Sequence, residues 1–539
     1  MNIFWDACIA ETNIEEVIKM TNIEKKLSAK KAVTKKNFSA LMKFESNDFG
    51  NAQRFLKFCS KKALYDSMSF SWFLYGEGRW KPDNDKKERV HKLANDLYSL
   101  LLEGLQKEYQ DLETYGIDVL ESNIADIASI EVEEDELIRI RERFKQCLRD
   151  RQIVLKLGNH SFQNRIIKSA EAQLVDEMIE LNPYNHYLVV KNGVVDLRTG
   201  ELLDHSPEHY STMRAPVAYN PEAETPVRFF RFLDEIFDGN KSLIAYVQRL
   251  LGYCLTGNTT QQEFYILHGE GGNGKNVLID LVKDILGEYA AEASAGALAK
   301  RTDGDKPNPT LLQAKDCRIL IANESEKDAQ VNDLLIKQIS AGNEICPRAL
   351  RKDNEHIVPH MKILWVTNHI PKFDWNDYAI ERRIQLIPFS VIIPKEKRDK
   401  HLPKTLWEER EGVFKWLIDG ARAYYEADGL DPIPEVMEEA KNKAKYGSDS
   451  IYGFFKNVVV ATGDKASKIK ARRVYTAYKQ YCAENGINMP STETMFGKRF
   501  LDLGKDVAIN RTKRSDGMYY LGLKLISKNT EADKVATEA

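Results

Sequence analysis

Between residues 84 and 180 apolar positions recur at helical spacing among many charges and few glycines, which predicts long amphipathic helices. An aromatic-rich opening precedes them. There Trp72-Phe73-Leu74-Tyr75, Gly76-Glu77-Gly78 and Arg79-Trp80 predict two short strands about a glycine turn. At 187–203 the period switches. Tyr187–Val190 and Val194–Leu197 flank Asn192-Gly193, a hairpin signal, and Thr199-Gly200 marks a second turn before Leu202 and Leu203. Pro216, Pro221 and Pro226 then predict a connector and a domain boundary. From 227 to 400 helical patterns alternate with four apolar runs, 264–267, 318–322, 362–367 and 384–389. Apolar strands between helices predict an α/β fold with a parallel sheet covered on both faces. Residues 401–430 read as helix, and Asp431-Pro432-Ile433-Pro434 as a break.

The expected organisation is a basic arm at 1–44, a mostly helical domain with the hairpin region at 45–226, the α/β domain at 227–400 and a helical linker at 401–445. A basic module at 446–528 and a tail at 529–539 complete it. The arm sets Lys25, Lys26, Lys30, Lys31, Lys35 and Lys36 against Glu24, and reads either as a solvated arm or as one that touches nucleic acid.

Composition narrows the class. A chain of 539 residues with 43% hydrophobic and 29% charged residues can bury several cores and is neither fibrous nor wholly disordered. The net charge of −3 supplies no global field toward nucleic acid or lipid. Mean hydropathy is −0.46, and no run of 18 apolar residues suggests a membrane span. The N-terminus lacks the basic start and apolar core of a signal peptide. Seven scattered cysteines without a CxxC pair fit reduced thiols in a cytoplasm.

The chemistry concentrates in Phe264–Val282. A strand runs into Gly269, Glu270, Gly271, Gly272, Asn273, Gly274, Lys275, Asn276 and Val277, then a helix. Glycines let backbone N–H groups converge on phosphate oxygens at a helix N-terminus, and Lys275 would reach the β and γ phosphates. Asn276 stands where Ser or Thr is usual, and its amide oxygen can still serve Mg²⁺. Nucleotide hydrolysis also needs a carboxylate near the γ-phosphate. Glu324, which with Asn323 follows the 318–322 strand, is assigned that role and a share of the metal, while Glu326 reads as a surface acid. Asn368 ends the next strand and can orient water, or simply turn the chain. Arg382-Arg383 can be an arginine finger, or a surface charge pair. Between Glu324 and Asn368, residues 337–356 predict a hairpin with a basic tip, or a solvated loop, carrying Lys337, Arg348, Arg351 and Lys352.

These elements in this order resemble the superfamily 3 helicases, and more closely the phage and plasmid primase-helicases that include the poxvirus primase-helicase. The segments that carry the resemblance are 48–83, 189–203, 246–276, 337–354 and 363–389. It implies an AAA+ ATPase core, ATP and Mg²⁺ as ligands, and a hexameric ring on single-stranded and forked DNA. By the same resemblance the hairpin contacts DNA in the channel, Asn368 senses the γ-phosphate, and Arg383, or its neighbour Arg382, acts in trans. The 44 residues ahead of the matching region are too few for the primase-polymerase domain the family often carries, so a separate primase or polymerase is expected.

Residues 465–528 hold 14 Lys and Arg against 5 Asp and Glu. Helical spacing at 470–484 and 492–503 precedes two strands about Ser515-Asp516-Gly517, which describes a winged helix that binds DNA, or else a basic docking module. The expected function is a replicative DNA helicase of a phage, plasmid or prophage-like element. An origin-binding initiator ATPase and a DNA motor in defence or packaging are the alternatives.

Overall fold

The computed structural model describes residues 35–526, except 85–86, 123, 128–129, 177–178, 300–308, 324–330, 347–355, 372, 374, 376, 448, 465, 486 and 488–489. The chain divides into two compact units, Met1–Leu181 and Asn182–Ala539.

The first unit is built on helices α1 (Lys35–Met42), α2 (Asp48–Cys59), α3 (Glu88–Glu113), α4 (Glu134–Leu157) and α5 (His160–Gln173). In α3 the buried residues Val90, Ala94, Leu97, Leu101 and Leu105 fall three and four apart, so one stripe enters the core. Asn47 caps α2 by accepting from the Gly50 N–H at 2.7 Å. A small antiparallel sheet joins β1 (Ala63–Asp66), β2 (Ser71–Gly76) and β3 (Arg79–Pro82). Glu77 and Gly78 have φ of 54° and 82°, the double left-handed conformation of a tight hairpin turn. Phe55, Trp72, Leu101, Phe144 and Ile166 meet in the core, and the Trp72 indole donates to Glu171 at 2.8 Å.

The second unit begins ahead of the boundary expected at 226/227. Its first sheet is β4 (Tyr187–Val190), β5 (Gly193–Asp196) and β6 (Glu201–Leu203), with the tight turn at Lys191-Asn192. The reason is burial: Leu188, Val190, Val195 and Leu197 share a core with Phe229, Phe232, Tyr246, Leu250 and Leu267. Those last residues belong to α6 (Val227–Ile236), α7 (Lys241–Leu255) and β7 (Phe264–His268).

The central sheet contains β7, β8 (Ala290–Ser294), β9 (Ile319–Asn323), β10 (Lys362–Thr367) and β11 (Ile384–Pro388). All pairs are parallel, in the order β11-β7-β10-β9-β8. Counting from β7 this is fifth-first-fourth-third-second, the AAA+ arrangement, with β10 between the phosphate-loop strand and β9. Alternate residues of β7 enter separate cores: Tyr265 and Leu267 face α7 and α8 (Lys275–Leu286), whereas Phe264 and Ile266 face α9 (Asp333–Ser340) and α10 (Tyr378–Glu381). The sheet is thus covered on both faces, as its nearly all-apolar strands require. Helices α11 (Leu402–Glu408), α12 (Arg410–Glu426) and α13 (Glu435–Gly447) follow, with α12 packed on α7.

The C-terminal module runs α14 (Ser450–Val458), β12 (Val459–Ala461), β13 (Lys468–Lys470), α15 (Ala471–Glu484), α16 (Glu493–Gly504), β14 (Asn510–Arg514), β15 (Gly517–Leu521) and β16 (Leu523–Leu525). Three helices and the sheet β13-β15-β14 form a winged helix. Its own core contains Phe454, Tyr478, Phe496, Phe500 and Tyr520. Among the described residues no helix is long and apolar enough to cross a membrane.

Candidate nucleotide site

The site is assembled where β7, β10 and β11 end. All of β7 but His268 is buried, so the chain leaves the sheet at a fixed point and must turn at once into α8. The glycines permit that turn. Gly272 and Gly274 have φ of 82° and 83°. A Cβ at Gly269 would lie 2.2 Å from the Phe389 carbonyl oxygen. Asn273, almost fully buried, donates to the Phe389 carbonyl at 3.3 Å and accepts from the Lys275 N–H at 3.4 Å. The N-cap, Gly274, has no side chain to offer, so beyond the Lys275 N–H the first N–H groups of α8 point out of the loop with the helix's positive end.

Lys275 opens α8 and is 3% exposed. Its ammonium donates to the Gly269 carbonyl at 2.5 Å and to the Asn368 side-chain oxygen at 3.1 Å. Burial lowers its pKa. Asn368 follows β10, where the Thr367 hydroxyl donates to the His369 carbonyl at 2.7 Å and accepts from the His369 N–H at 3.1 Å. That closed turn leaves the Asn368 amide exposed above the strand end. Two predicted residues from distant parts of the sequence therefore meet, a cation and an amide, beside a row of N–H donors.

Glu270 and Asn276 are exposed, and Val277 is half-buried on α8. β9 ends at Asn323, level with Val366 of β10. Glu324 and Glu326 lie outside the described residues. So do Arg348, Arg351 and Lys352. The base of their predicted hairpin is present: Ile345 and Ile357 exchange two backbone hydrogen bonds of 2.9 Å. Lys337 lies on α9 and pairs with Asp377, holding that carboxyl below its usual range. Asp377 also caps α10 through the Ala379 N–H at 2.9 Å.

Arg382 and Arg383 sit at the opposite end of the sheet. The Arg383 carbonyl accepts from the Phe264 N–H, where β11 and β7 begin. A five-residue strand at about 3.3 Å per residue puts them roughly 15 Å from the phosphate loop. Arg383 is 8% exposed and donates to the Ala379 carbonyl at 2.7 Å and to Gln262 at 3.4 Å. Arg382 is exposed and donates to the same Gln262 oxygen at 2.9 Å. Burial, then the Arg382 charge, lowers the Arg383 pKa.

Sequence reasoning missed Arg398. The Ile393 N–H donates to the Gly272 carbonyl at 3.0 Å, and Arg398 donates to the Ile393 carbonyl at 2.9 Å. This places the guanidinium so near the loop that a Cβ at Gly272 would lie 2.1 Å from one of its nitrogens. Within Lys395-Glu396-Lys397-Arg398-Asp399-Lys400 it reads as one charge in a solvated run, and only the fold reveals the contact. His268 was missed as well. It ends β7 beside the loop, and burial, then the Lys275 charge, lowers its pKa.

Two family models match the chain. One, described as D5 N terminal like, covers residues 52–238, and the other, Poxvirus D5 protein-like, covers 447–531. The chain belongs to the D5-like superfamily 3 helicase family. Among curated relatives, a candidate helicase, L207/L206, of Acanthamoeba polyphaga mimivirus is 28% identical over 281 residues, which cover 51% of this chain and 29% of that protein. The protein named Primase D5 of Fowlpox virus is 22% identical over 275 residues, 48% of this chain and 32% of that one. The chain thus matches about a third of the length of these relatives. The solved C-terminal region of NrS-1 aligns at 15% identity over 58% of this chain and 80% of that one. Its TM-score is 0.36.

Proposed function

We propose that this protein is an ATP-dependent DNA helicase acting in replication, with ATP held between the phosphate loop of one subunit and an arginine of the next. The observation that carries the reading is the 3.1 Å contact between Lys275 and Asn368. It joins the phosphate-binding lysine to the end of the strand that, in AAA+ order, stands between that loop and the hydrolytic carboxylate. The N–H groups of the loop and α8 bind the phosphates. Lys275 moves from loop carbonyls to phosphate oxygens, and Arg398 adds a second cation on the same side. Asn368 and Glu324 orient and activate the attacking water.

The donors fit Mg²⁺, which prefers oxygen: the Asn276 amide is exposed on the first turn of α8, and Glu324 would add a carboxylate. When bound, the ion neutralises charge developing on the phosphates.

Arg382 and Arg383 are too far from their own chain's loop to serve it, so a role in hydrolysis requires a second copy. That supports a ring of identical subunits. Arg382 reaches outward, and Gln262, which accepts from both arginines, steadies it. The 345–357 hairpin, with Arg348, Arg351 and Lys352, would carry the DNA contact, with Lys337 ion-paired behind its base.

The test pairs two measurements on purified protein, ATP turnover and strand displacement on a forked duplex. Both should be present in the parent and absent from Lys275→Ala, and Glu324→Gln should bind ATP but turn it over poorly. The winged-helix topology favours one other reading, an origin-binding ATPase. ATP turnover without displacement would select it.

A further inference from the structure

In a winged helix the second helix of the helix–turn–helix pair ordinarily reads bases in the major groove, and the wing touches backbone. Here that helix is α16. Its exposed positions Glu493, Thr494, Met495, Lys498 and Asp502 carry two acids and one lysine. Its other cation, Arg499, donates to Asp449 at 2.9 Å. Met495 and Arg499 also line a cleft of about 1270 Å³ together with His268, Gly269 and Asn368. One edge of α16 thus borders the nucleotide end of the sheet.

The wing sheet shows the reverse character. Lys468 pairs with Leu521 and Lys470 with Tyr519, while Thr512 pairs with Tyr519 and Arg514 with Gly517. Directly paired residues share a face, so Lys468, Lys470, Thr512, Arg514 and Tyr519 stand together, opposite the buried Tyr520. The Tyr519 ring lies between two cations, with the Lys470 ammonium and the Arg514 guanidinium each 5.8 Å from its centroid. Asp516, in the turn, accepts from the Tyr519 hydroxyl at 2.6 Å and pairs with Lys470 at 2.9 Å. Lys470 and Asp516 are about half exposed, so a phosphate can replace that carboxylate at little cost.

We propose that the C-terminal module binds duplex DNA by its phosphate backbone on the outer face of the wing sheet, through Lys468, Lys470 and Arg514, and that α16 reads no bases. The binding is then independent of sequence. The helicase reading enters only in naming DNA as the ligand.

The test uses the full-length chain and labelled DNA, without ATP, over a range of salt. One variant is Lys468→Ala/Lys470→Ala/Arg514→Ala, and the other is Thr494→Ala/Lys498→Ala on α16. All five side chains are exposed, and circular dichroism checks folding. The wing variant should bind two unrelated duplexes at least about tenfold more weakly at ~0.1 M salt. Its slope of log affinity against log salt should shrink by about 2–3, since each phosphate that the variant no longer neutralises lowers the slope by about 0.9. The α16 variant should stay within about twofold of the parent on both duplexes. A sequence-dependent loss in the α16 variant, an unchanged slope in the wing variant, or a wing effect confined to single-stranded DNA would each overturn the proposal. Basal ATP turnover, measured in parallel, reports on the helicase reading alone, because DNA binding here needs no hydrolysis.

Discussion

The two ends of the central sheet both bury cations, and they do so for different ends. At the start of β9 and β10, Arg318 and Lys362 are enclosed with no carboxylate partner among the described residues. Arg318 donates to the carbonyls of Leu255 and Tyr187 and lies 4.8 Å from the Tyr289 ring. Lys362 donates to the carbonyls of Thr256 and His360. Each cation binds oxygens fixed by α7, by the first hairpin or by its own strand, so it ties the β4–β6 sheet and α7 to the central sheet. At the other end Lys275 is equally enclosed, and its partners are loop carbonyls and the exposed amide of Asn368. Beside it stand N–H groups and a second cation, Arg398, which call for an anion. Burial and a lowered pKa are common to both ends, so neither marks a functional site. The helix N-terminus and the exposed Arg398 and Asn368 beside the lysine do.

The sharpest way to break this contrast is to remove the lysine at each end. Lys275→Ala should lower ATP turnover by on the order of 10³-fold, as loss of a preorganised charge stabiliser does at the upper end of the usual range. Its thermal midpoint should stay near the parent's, because the apolar packing of α8 is untouched. A steady-state ATPase assay with a melting curve checks both.

An effect of order 10²-fold is expected for Arg382→Ala, again on turnover with the fold kept. It should be recovered in part when this variant is mixed with Lys275→Ala. A mixed ring then contains interfaces with an intact loop and an intact arginine. Absence of recovery, with mixed assemblies shown by native mass spectrometry, would remove the pair at 382–383 from catalysis.

Lys362→Met should act on stability instead. It leaves the Thr256 and His360 carbonyls without their donor, a loss of about 1–3 kcal/mol read from denaturant midpoints near pH 10, where the lysine no longer carries the cost of losing its proton. Turnover per folded molecule should be close to normal. The pH dependence has a definite sign. Burial lowers the Lys362 pKa to about 7 in the folded chain, against about 10.4 unfolded. Between those values the unfolded state binds the extra proton, so parent stability should rise as pH goes from about 7 to 10. In Lys362→Met that part of the rise should be missing.

The sequence made the phosphate-loop end largely legible, because strand, glycines, lysine and helix are contiguous from Phe264 to Leu286. Four of the sheet's strands were visible as apolar runs. The fifth, β8, was not: Ala290-Ala291-Glu292-Ala293-Ser294 lies at the sheet edge, buries little beyond Ala293, and has a helix former's composition. The hairpins were legible through their turns. Their placement was not, since nothing local says that Leu188 and Val195 share a core with Phe232. The winged helix followed from two helical stretches and a turn, yet the direction its helix faces depends on the cleft it shares with His268 and Asn368. The far end of the sheet was illegible for the same reason: Lys362 reads as a strand's polar first residue until the carbonyls around it are known.

Arg398 gives the smallest effect and separates the two ends most finely. Unlike Lys275 it is exposed, so water competes for its charge and an ion contact there is worth about 1 kcal/mol or less. Arg398→Ala should therefore raise the KM for ATP by about fivefold or less, with kcat near the parent's, because an exposed cation binds ground state and transition state alike. The increase should shrink as salt is added, since exposed charges are screened. Arg398→Lys should restore only part of the affinity, because the Ile393 carbonyl fixes a planar guanidinium, and an ammonium cannot donate to that carbonyl and a phosphate in the same geometry. If Arg398→Ala instead lowered kcat by two orders of magnitude with KM unchanged, the guanidinium would belong to the transition state. Hydrolysis would then rest on a cation supplied within the chain, and the case for an arginine acting from a neighbouring subunit would lose its main support.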